Sequence, residues 1–301
     1  MIAVSVAIPT LNRERELVNT LRFFVECADP HLHEIIVVDQ SDVHDPATES
    51  YLRYIAHRIV YVRVQYKNLP KARNEAVKRA SGDIILFVDD DVEPTDGFVS
   101  AHAGAYAEPS VMGVSGPVLD PGQRCRDRNT FPEDFDAAIA KGYLHGYLAK
   151  DAAFRYTPSW LQGCNMSYRR GCIERAGWFD ETFFSVADGE DVDLSSRVRD
   201  QCGRLVYEPN ASLVHIPAKH GGCRDEQNSA RRMRDHVANS LYYMYKVDGR
   251  ALVVRKTLDH FRTTVLAVRS GPWLGARIRA YIGGVRLGLR MICRSGVDLR
   301  S

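Results

Sequence analysis

The sequence predicts an α/β protein whose central, mainly parallel sheet is flanked by helices. Three observations support this fold class. Short apolar runs alternate with helical patterns through the first part of the chain, which is the order of βαβ units. The runs are continuously apolar, as in strands that are buried on both faces. Polar side chains follow the runs, at the sheet edge where open α/β proteins bind their ligands.

Four strands and three helices are predicted in the first part of the chain. The strands fall at residues 4–8, 34–38, 59–64 and 84–88, and the helices at 13–26, 46–56 and 68–80. Asn12 or Thr10 is suited to cap the first of these helices. Because the connections are short, the carboxyl ends of the strands should meet at one edge of the sheet.

The second part of the chain is less regular. Helices are predicted at 94–107, at 170–176 and from 188–193 onward, and strands at 112–119, 205–207 and 212–216. Residues 120–151 are rich in charge, glycine and aromatic residues, and we expect a mobile loop that faces the substrate. Residues 160–168 are a second focal stretch, to which no helix or strand is assigned.

Charge and cysteine content restrict the class of protein. The net charge is +2, but residues 255–301 hold ten Lys/Arg against two Asp, so residues 1–250 carry about −6. This distribution weakens any case for nucleic-acid binding by the main body. Seven cysteines without zinc-type spacing indicate reduced thiols in a cytosolic protein. The N-terminus is typical of a first strand rather than of a signal peptide, and no apolar run is long enough to span a bilayer.

Three consecutive carboxylates, Asp89, Asp90 and Asp91, follow the predicted strand 84–88. Crowded carboxylates repel one another unless a cation lies among them. All-oxygen ligation suits Mg²⁺ or Mn²⁺, and such an ion can clamp a diphosphate. A solvated acidic turn is the alternative interpretation of the same triplet.

Several stretches, in order, resemble the motifs of the family 2 glycosyltransferases, which have the GT-A fold. They are residues 6–13, 37–39, 72–74, 89–91, 163–165, 177–181, 189–193 and His215. The resemblance implies an inverting transfer of a sugar from a nucleotide-diphosphate donor to a hydroxyl of a glycan or lipid-linked acceptor. It implies Mn²⁺ or Mg²⁺ as cofactor and a catalytic domain over residues 1–225. Residues 1–110 would be the nucleotide-binding half of this domain, and 111–225 the acceptor-binding and catalytic half.

The resemblance also implies a donor and metal site. Asp91 and His215 would hold the metal, with Asp89 in its ligand shell or on the ribose. Asp39 would hydrogen-bond the nucleoside, and Arg73 would face the nucleotide, where a cation helps to hold a diphosphate. The other expected donor-binding residues are Pro9, Thr10, Asn12, Arg13, Asp90, Gly163 and Asn165, of which the last two would line the sugar.

Asp191 is the predicted general base, because inversion in one displacement needs a carboxylate opposite the leaving group. Asp180 and Glu190 are its nearest rivals, and Glu190 and Trp160 are predicted to contact the acceptor. A structural interpretation is open as well, since carboxylates in a first helical turn stabilise the helix dipole.

Structural roles are also open for other predicted site residues. His215 can be a hydrogen-bonded strand residue, Asp39 can cap the turn after its strand, and Trp160 can belong to the core. Gln40 stands where the family often has a second Asp that reads uracil, so uracil, thymine and guanine are all candidate donor bases. Cys164 stands where the family often has glycine, and its small size should preserve the pocket.

Residues 226–301 are predicted to form a basic helical extension. At 100° per residue, residues 273–294 place an apolar arc beside an arc that holds Arg279, Arg286, Arg290 and Arg294. Such a helix can lie on an anionic membrane surface, or it can pack on the catalytic domain or on a second subunit. The expected location is the cytoplasm, with the inner face of the cell membrane as the alternative.

Two other functions compete with glycosyl transfer. A sugar-1-phosphate nucleotidyltransferase should carry a glycine-rich, basic loop after the first strand, which residues 9–13 do not supply. A non-catalytic nucleotide-sugar-binding or assembly subunit would have no use for a base such as Asp191. Neither the dinucleotide fingerprint nor the P-loop motif occurs in the sequence.

Overall fold

The computed structural model describes residues 1–131, 133, 135, 150–184, 189–218, 220–222, 229–261 and 274–295. Its strands are β1 (Val4–Thr10), β2 (Leu32–Asp39), β3 (Val60–Arg63), β4 (Ile84–Val88), β5 (Val92–Pro94), β6 (Val111–Ser115), β7 (Val118–Leu119), β8 (Asn165–Arg169), β9 (Arg204–Tyr207) and β10 (Leu213–His215). Its α-helices are α1 (Arg15–Glu26), α2 (Pro46–Tyr54), α3 (Leu69–Arg79), α4 (Phe98–Ala105), α5 (Arg170–Arg175), α6 (Glu190–Gln201), α7 (Ser229–Phe261) and α8 (Leu274–Ser295).

A seven-stranded sheet with the order β3-β2-β1-β4-β8-β6-β9 forms the centre of the fold. Its strands are parallel except for β8, which runs antiparallel to both β4 and β6. The mainly parallel sheet that the sequence predicts is therefore confirmed. A smaller sheet consists of β5, β10 and β7, and its antiparallel β5–β10 pair sets His215 opposite Val92.

Apolar layers cover both faces of the main sheet. Leu86 of β4 belongs to the layer that contains Leu17 and Phe24 of α1. Its neighbour Phe87 belongs to the opposite layer, with Ala76 of α3. Successive strand residues point to opposite faces, so β4 needs a continuous apolar run. Because both faces of β4 are buried, the strand ends where the apolar run ends, and the aspartates follow directly.

Capping side chains set the starts of α2 and α3. The carboxylate of Asp45 accepts a hydrogen bond of 2.7 Å from the backbone N–H of Thr48. The side-chain oxygen of Asn68 accepts one of 2.8 Å from the backbone N–H of Lys71. Each helix also has a proline in its first turn, where the missing N–H has no helical partner to lose. Both helices consequently begin within one residue of the predicted positions.

Several sequence predictions differ from the structure, among them the capping of α1, whose N-cap residue is Glu14 and makes no side-chain capping bond. The strand predicted at 112–119 is divided into β6 and β7, which belong to different sheets, because the chain turns at Gly116 against the backbone of Ala211. The helix predicted at 94–107 begins only at Phe98, after Gly97 with a φ of 73°. Strand β8 was not predicted, because its residues alternate apolar and polar side chains over only five positions. Of the loop predicted at 120–151, residues 132, 134 and 136–149 lie outside the described residues.

Helices α7 and α8 pack along each other at close range. A Cβ atom added at Gly284 of α8 would lie 2.6 Å from Cβ of Val237 on α7, so only glycine permits this approach. Helix α8 coincides with the amphipathic segment predicted at 273–294, which confirms a helical C-terminal extension. None of the described helices combines the length and hydropathy that a bilayer crossing needs.

Candidate active site

A cavity of about 470 Å³ opens at the carboxyl ends of β1 and β4. Eight of the predicted donor and metal residues line it, namely Pro9, Thr10, Asn12, Arg13, Asp89, Asp90, Asp91 and His215. They come from the end of β1 and the residues that follow it, from the connection between β4 and β5, and from β10 of the small sheet. The small sheet therefore completes a site that the parallel strands begin.

Asp89, Asp91 and His215 form a cluster that fits a divalent metal ion. One ligand atom from each lies within 4.8 Å of the other two. Nε2 of His215 is 3.1 Å from Oδ1 of Asp91, and Oδ2 of Asp91 accepts a 3.2 Å hydrogen bond from the N–H of Ala218. Burial opposes ionisation of Asp91, but these bonds lower its pKa. Two carboxylates and an imidazole suit Mn²⁺, and the carboxylates also suit Mg²⁺.

Asp90 faces a different environment from its two neighbours. Its Oδ2 accepts a 2.6 Å hydrogen bond from the hydroxyl of Thr10, and its Oδ1 is 3.8 Å from Nε of Arg13. Burial raises the pKa of Asp90 to about 7. Through its bond with Thr10, Asp90 therefore ties the aspartate triplet to the end of β1. It also forms part of the cavity wall.

Arg13 is a buried cation beside the metal-ligand cluster. Its Nη2 is 3.6 Å from Oδ2 of Asp91. Its Nε and Nη1 atoms have no hydrogen-bond partner among the described residues. A buried guanidinium without such partners carries a large desolvation cost, which an anionic ligand in the cavity would offset.

Asp39 is fully buried and is bound by other side chains. Its carboxylate accepts hydrogen bonds from Nε2 of His44 at 2.8 Å, from the backbone N–H of Ser41 at 2.8 Å and from the hydroxyl of Tyr61. Burial opposes its ionisation, but these bonds lower the pKa of Asp39. The bond to Asp39 raises the pKa of His44 to about 9.

Gln40, rather than Asp39, lines the cavity. Its side-chain Oε1 accepts a 2.7 Å hydrogen bond from the backbone N–H of Asn68. Its amide nitrogen is 3.5 Å from the carbonyl oxygen of Thr10. Gln40 is thus the wall residue beside Asp39, and the predicted contact of Asp39 with the nucleoside stays a prediction.

Arg73 connects the aspartate triplet to the first turn of α6. It is buried, and its Nη1 donates a 2.7 Å hydrogen bond to Oε1 of Glu190. Its Nη2 donates to the carbonyl oxygen of Gly163 at 3.1 Å and lies 3.7 Å from Oδ1 of Asp89. Arg73 therefore stands behind the cavity wall and fixes the two groups of carboxylates relative to each other.

Asp191, the predicted base, lies in the first turn of α6. Its Oδ2 accepts a 2.9 Å hydrogen bond from the N–H of Gly163, and its Oδ1 accepts one of 2.8 Å from the N–H of Val192. A Cβ at Gly163 would lie 3.0 Å from Nη2 of Arg73 and 3.2 Å from Oδ2 of Asp191. Glycine is thus needed for the approach of these two charged groups, and the predicted place of Gly163 beside the donor sugar stays a prediction.

The two rivals of Asp191 lie in different surroundings. Glu190 is only 3% exposed, and its Oε2 has no hydrogen-bond partner among the described residues. Burial, with the adjacent Asp191, raises the pKa of Glu190 to about 8. Asp180 lines a separate cavity of about 890 Å³ and accepts 2.7 Å hydrogen bonds from Tyr242 and Lys246. Asp180 therefore does not belong to the carboxylate cluster.

Two residues that were predicted to contact substrates, Asn165 and Trp160, pack against other parts of the fold. Asn165 is 0% exposed, and its amide donates to the carbonyl oxygens of Pro117 and Ala211 and accepts from His102. The amide of Asn165 therefore ties the start of β8 to α4 and to the segments beside β7 and β10, and its predicted place beside the donor sugar stays a prediction. Trp160 is half-buried against the apolar cluster of Val192 and other residues, at the side of the base.

Sequence reasoning missed several residues of the cavity wall. They are Lys67, Asn68, Phe184, Gly222 and Arg231. The sequence signal that could have indicated this part of the wall was the Gly221-Gly222 pair. In the structure both glycines have positive φ. A Cβ at Gly222 would lie 2.9 Å from Nη2 of Arg13, so this glycine lets the chain close over the arginine.

A parallel sheet with a carboxylate–histidine cluster at its ligand-binding edge defines the GT-A class of fold. Solved structures agree with this assignment. The structure of GalNAc-T7 with UDP, GalNAc and Mn²⁺ aligns with a TM-score of 0.61 and 17% identity, over 94% of this chain and 57% of that chain. That of S. aureus TarS with UDP-GlcNAc aligns with a TM-score of 0.61 and 14% identity, over 97% and 83%. At these identities the likeness establishes the fold.

The chain belongs to glycosyl transferase family 2, whose sequence model matches residues 5–175. The pre-mycofactocin glycosyltransferase of Mycobacterium tuberculosis is 26% identical over 80% of this chain and 46% of its own length. The succinoglycan biosynthesis protein ExoM of Rhizobium meliloti is 23% identical over 79% and 74%. The chain thus spans less than half of the first relative and about three quarters of the second.

Proposed function

We propose that the protein is an inverting glycosyltransferase that uses a nucleotide-diphosphate sugar and a divalent metal ion. The acceptor is a hydroxyl of a glycan or of a lipid-linked saccharide. The observation that supports this proposal most directly is the Asp89–Asp91–His215 cluster in a cavity at the sheet edge. The named activities of the relatives are consistent with it, since they include glycosyl transfer and polysaccharide biosynthesis.

The cluster would hold Mn²⁺ or Mg²⁺ through Asp89, Asp91 and His215. When bound, the ion neutralises the charge that builds on the diphosphate leaving group. Arg13 supplies a second positive charge from the same wall, through guanidinium nitrogens that lack partners among the described residues. Gln40 is positioned to read the base, because its amide side chain lines the cavity.

Asp191 is the proposed base. In an inverting displacement the acceptor oxygen bonds to the anomeric carbon as the bond from that carbon to the diphosphate oxygen breaks. The hydroxyl proton passes to the Asp191 carboxylate. The N–H groups of Gly163 and Val192 orient this carboxylate, and a placed base accelerates such a step by roughly a hundred- to ten-thousand-fold.

A panel of nucleoside diphosphates and nucleotide sugars, each with and without Mn²⁺, tests the donor site by thermal stability. We expect a metal-dependent rise confined to one base, since a ligand at a hundredfold excess over its dissociation constant adds about 2.7 kcal/mol. Asp191→Asn should keep this rise and lose transfer. Binding without transfer by the wild-type protein, for every acceptor tried, would favour the assembly-subunit alternative. Formation of a nucleotide sugar from a sugar phosphate would favour a nucleotidyltransferase.

We propose that residues 1–225 are the catalytic domain and that residues 226–301 are an extension packed against it. The contact supports this division: Met291 of α8 and Tyr243 of α7 share one apolar cluster with Phe183 and Val192. The extension therefore supports the turn that carries Asp191, rather than forming a separate body.

We also propose that the outward face of α8 contacts an anionic membrane surface, at the inner face of the cell membrane. Ile282 and Leu289 are 46% and 50% exposed there, beside Arg279 and Arg286, which form no ion pair with other described residues. Sedimentation with vesicles of anionic lipid tests this contact. We expect Arg279→Ala/Arg286→Ala to weaken it. A dimer that the same substitutions dissociate would assign the face to a second subunit instead.

A further inference from the structure

A second, smaller cavity adjoins the donor cavity. It encloses about 370 Å³ and is lined by Thr182, Phe184, Leu287, Arg290, Met291 and Arg294. Phe184 also lines the donor cavity, so the two cavities share one aromatic residue. Five residues of the smaller cavity are apolar or positively charged and none is acidic, whereas the donor cavity holds three aspartates together with basic residues.

The chemistry of this cavity is that of a site for an anionic amphiphile. Phe184, Leu287 and Met291 supply an apolar wall. Arg290 and Arg294 lie one helical turn apart on α8, are exposed, and form no ion pair with any residue in the described part of the chain. Helix α8 contains no Asp or Glu. Guanidinium pairs bind phosphate oxygens with charge-assisted hydrogen bonds.

The cavity is close to the proposed base. Its apolar residues Leu287 and Met291 belong to the same cluster as Val192, which follows Asp191 in α6. Trp160, the predicted acceptor contact, packs against this cluster as well. A molecule anchored here by its lipid end would have its sugar end beside the first turn of α6.

We propose that this cavity binds the lipid-phosphate portion of the acceptor, with the first carbons of an isoprenoid or acyl chain on Phe184, Leu287 and Met291. Arg290 and Arg294 bind the phosphate or diphosphate that joins the chain to the saccharide. The proposal rests on the glycosyl-transfer function and narrows its acceptor from glycans in general to saccharides on a lipid phosphate. The alternative is general contact with a membrane, to which all the arginines of α8 would contribute irrespective of their place along the helix.

Binding of a water-soluble prenyl phosphate, farnesyl phosphate, to the full-length chain tests the proposal. Calorimetry is done in EDTA, so that the metal-dependent donor site does not contribute. Farnesol and inorganic phosphate are measured separately, to resolve the apolar and anionic parts of the ligand. We expect farnesyl phosphate to bind, and each of the other two to bind about tenfold more weakly or less, since each lacks one half of the interaction.

Two pairs of substitutions on the same helix provide the matched comparison. Arg290→Ala/Arg294→Ala should weaken farnesyl phosphate binding by about tenfold or more, because it removes both phosphate contacts. Arg279→Ala/Arg286→Ala removes the same charge outside the cavity and should change it by less than about twofold. All four residues are polar and partly or wholly exposed, so the variants should fold.

Equal losses from the two pairs would overturn the proposal in favour of a diffuse basic surface, and so would inorganic phosphate binding as tightly as farnesyl phosphate. Absence of binding by the wild-type protein would also overturn it. The metal-dependent thermal shift with nucleotides is measured on every variant. If the wild-type protein shows that shift but does not bind farnesyl phosphate, only the proposed lipid site is wrong. If the wild-type protein shows no such shift, the proposed glycosyltransferase function itself is refuted.

Discussion

The carboxyl edge of the main sheet and the α7–α8 helix pair organise charge in opposite ways. At the sheet edge, three acidic groups are held by hydrogen-bond donors: Asp90 by Thr10, Asp91 by Ala218, and Asp39 by His44 and Tyr61. On α8, by contrast, four exposed arginines have no ion-pair partner among the described residues. They are Arg279, Arg286, Arg290 and Arg294. Preorganised charge suits the binding of one ligand in one geometry, whereas unpaired charge on a helix suits an anionic surface or amphiphile.

A partly buried cation attaches the helix pair to α6 and to the segment before it. Nζ of Lys246 on α7 lies 2.7 Å from Oδ2 of Asp180 and 2.7 Å from Oδ1 of Asp193 on α6. Burial opposes ionisation of Asp180, but Lys246 and Tyr242 lower its pKa to about 2. The acidic residues of the family motifs can therefore be grouped by the region of the molecule that they contact. Those at the sheet edge are placed for a ligand, and Asp180 and Asp193 attach the helix pair.

Replacing Asp91 should have the largest effect and tests the first half of the comparison. We expect Asp91→Asn to reduce transfer by about a hundredfold or more, because partners that merely orient metal ligands are already worth ten- to a hundredfold. Asp90→Asn is the matched control, and its effect should be much smaller, since Thr10 can donate equally well to an amide oxygen. The measurement is transfer, with Mn²⁺ affinity from titration. Equal losses in both variants would contradict the assignment of separate roles within the triplet.

Replacing Lys246 tests the junction between the regions. Lys246→Met removes the cation shared by Asp180 and the buried Asp193, while Arg197 still pairs with Asp193. Losing hydrogen bonds to charged groups costs about 1.5 to 3 kcal/mol. We expect a loss in this range in urea unfolding. Lys150→Met removes an exposed pair with Asp120 and should cost less than about 1 kcal/mol. If the two variants are equally stable, the helix pair is attached by apolar contacts alone.

The pH dependence of stability tests the preorganisation at the sheet edge. The pKa of His44 is raised from 6.5 to about 9 in the folded state. Its stabilising contribution is therefore fully present below about pH 6.5 and is lost as the pH rises to about 9, by up to roughly 3 kcal/mol. Urea unfolding of the wild type and of His44→Asn between pH 6 and 9.5 measures this difference. His33→Asn, which removes a histidine from an exposed site, should keep the wild-type slope.

Two neighbouring glycines of α8 give the smallest expected effect and test how the helix pair is packed. Gly284→Ala places a Cβ 2.6 Å from Cβ of Val237, and we expect a net loss of about 1 to 2 kcal/mol from overpacking. Gly283→Ala meets only the flexible side chain of Arg234 at 3.5 Å, and should stabilise the helix by up to about 1 kcal/mol. Thermal unfolding distinguishes the two, and a stabilised Gly284→Ala would mean that the helices can separate without cost.

Much of the site followed from short segments of sequence. The buried strand 84–88 fixes where Asp89, Asp90 and Asp91 begin, and β1 fixes Pro9 to Arg13 in the same way. Because the carboxyl ends of parallel strands share one edge, these residues could be grouped from the order of the strands alone. The alternation of strands and helices likewise indicated the fold, since its periodicity is a local property.

What the sequence could not decide depends on contacts between distant segments. The resemblance implied a place for Asn165 beside a sugar, and it gave no sign that the amide of Asn165 donates to the carbonyl oxygens of Pro117 and Ala211. Local patterns left Asp180 as a rival base, whereas Lys246, far along the chain, draws it to the helix pair.

The sequence by itself therefore determined the fold class, the position of the aspartate triplet and the amphipathic tail, because each is encoded by a periodic or contiguous pattern. Only the tertiary structure decided which side chains share a site. It showed that Arg73 joins Glu190 to Gly163 and Asp89, and that Phe184 lines two cavities, of which only one holds aspartates. The physical reason is that hydrogen bonds and burial depend on distances in space, and no local spacing along the chain specifies those distances.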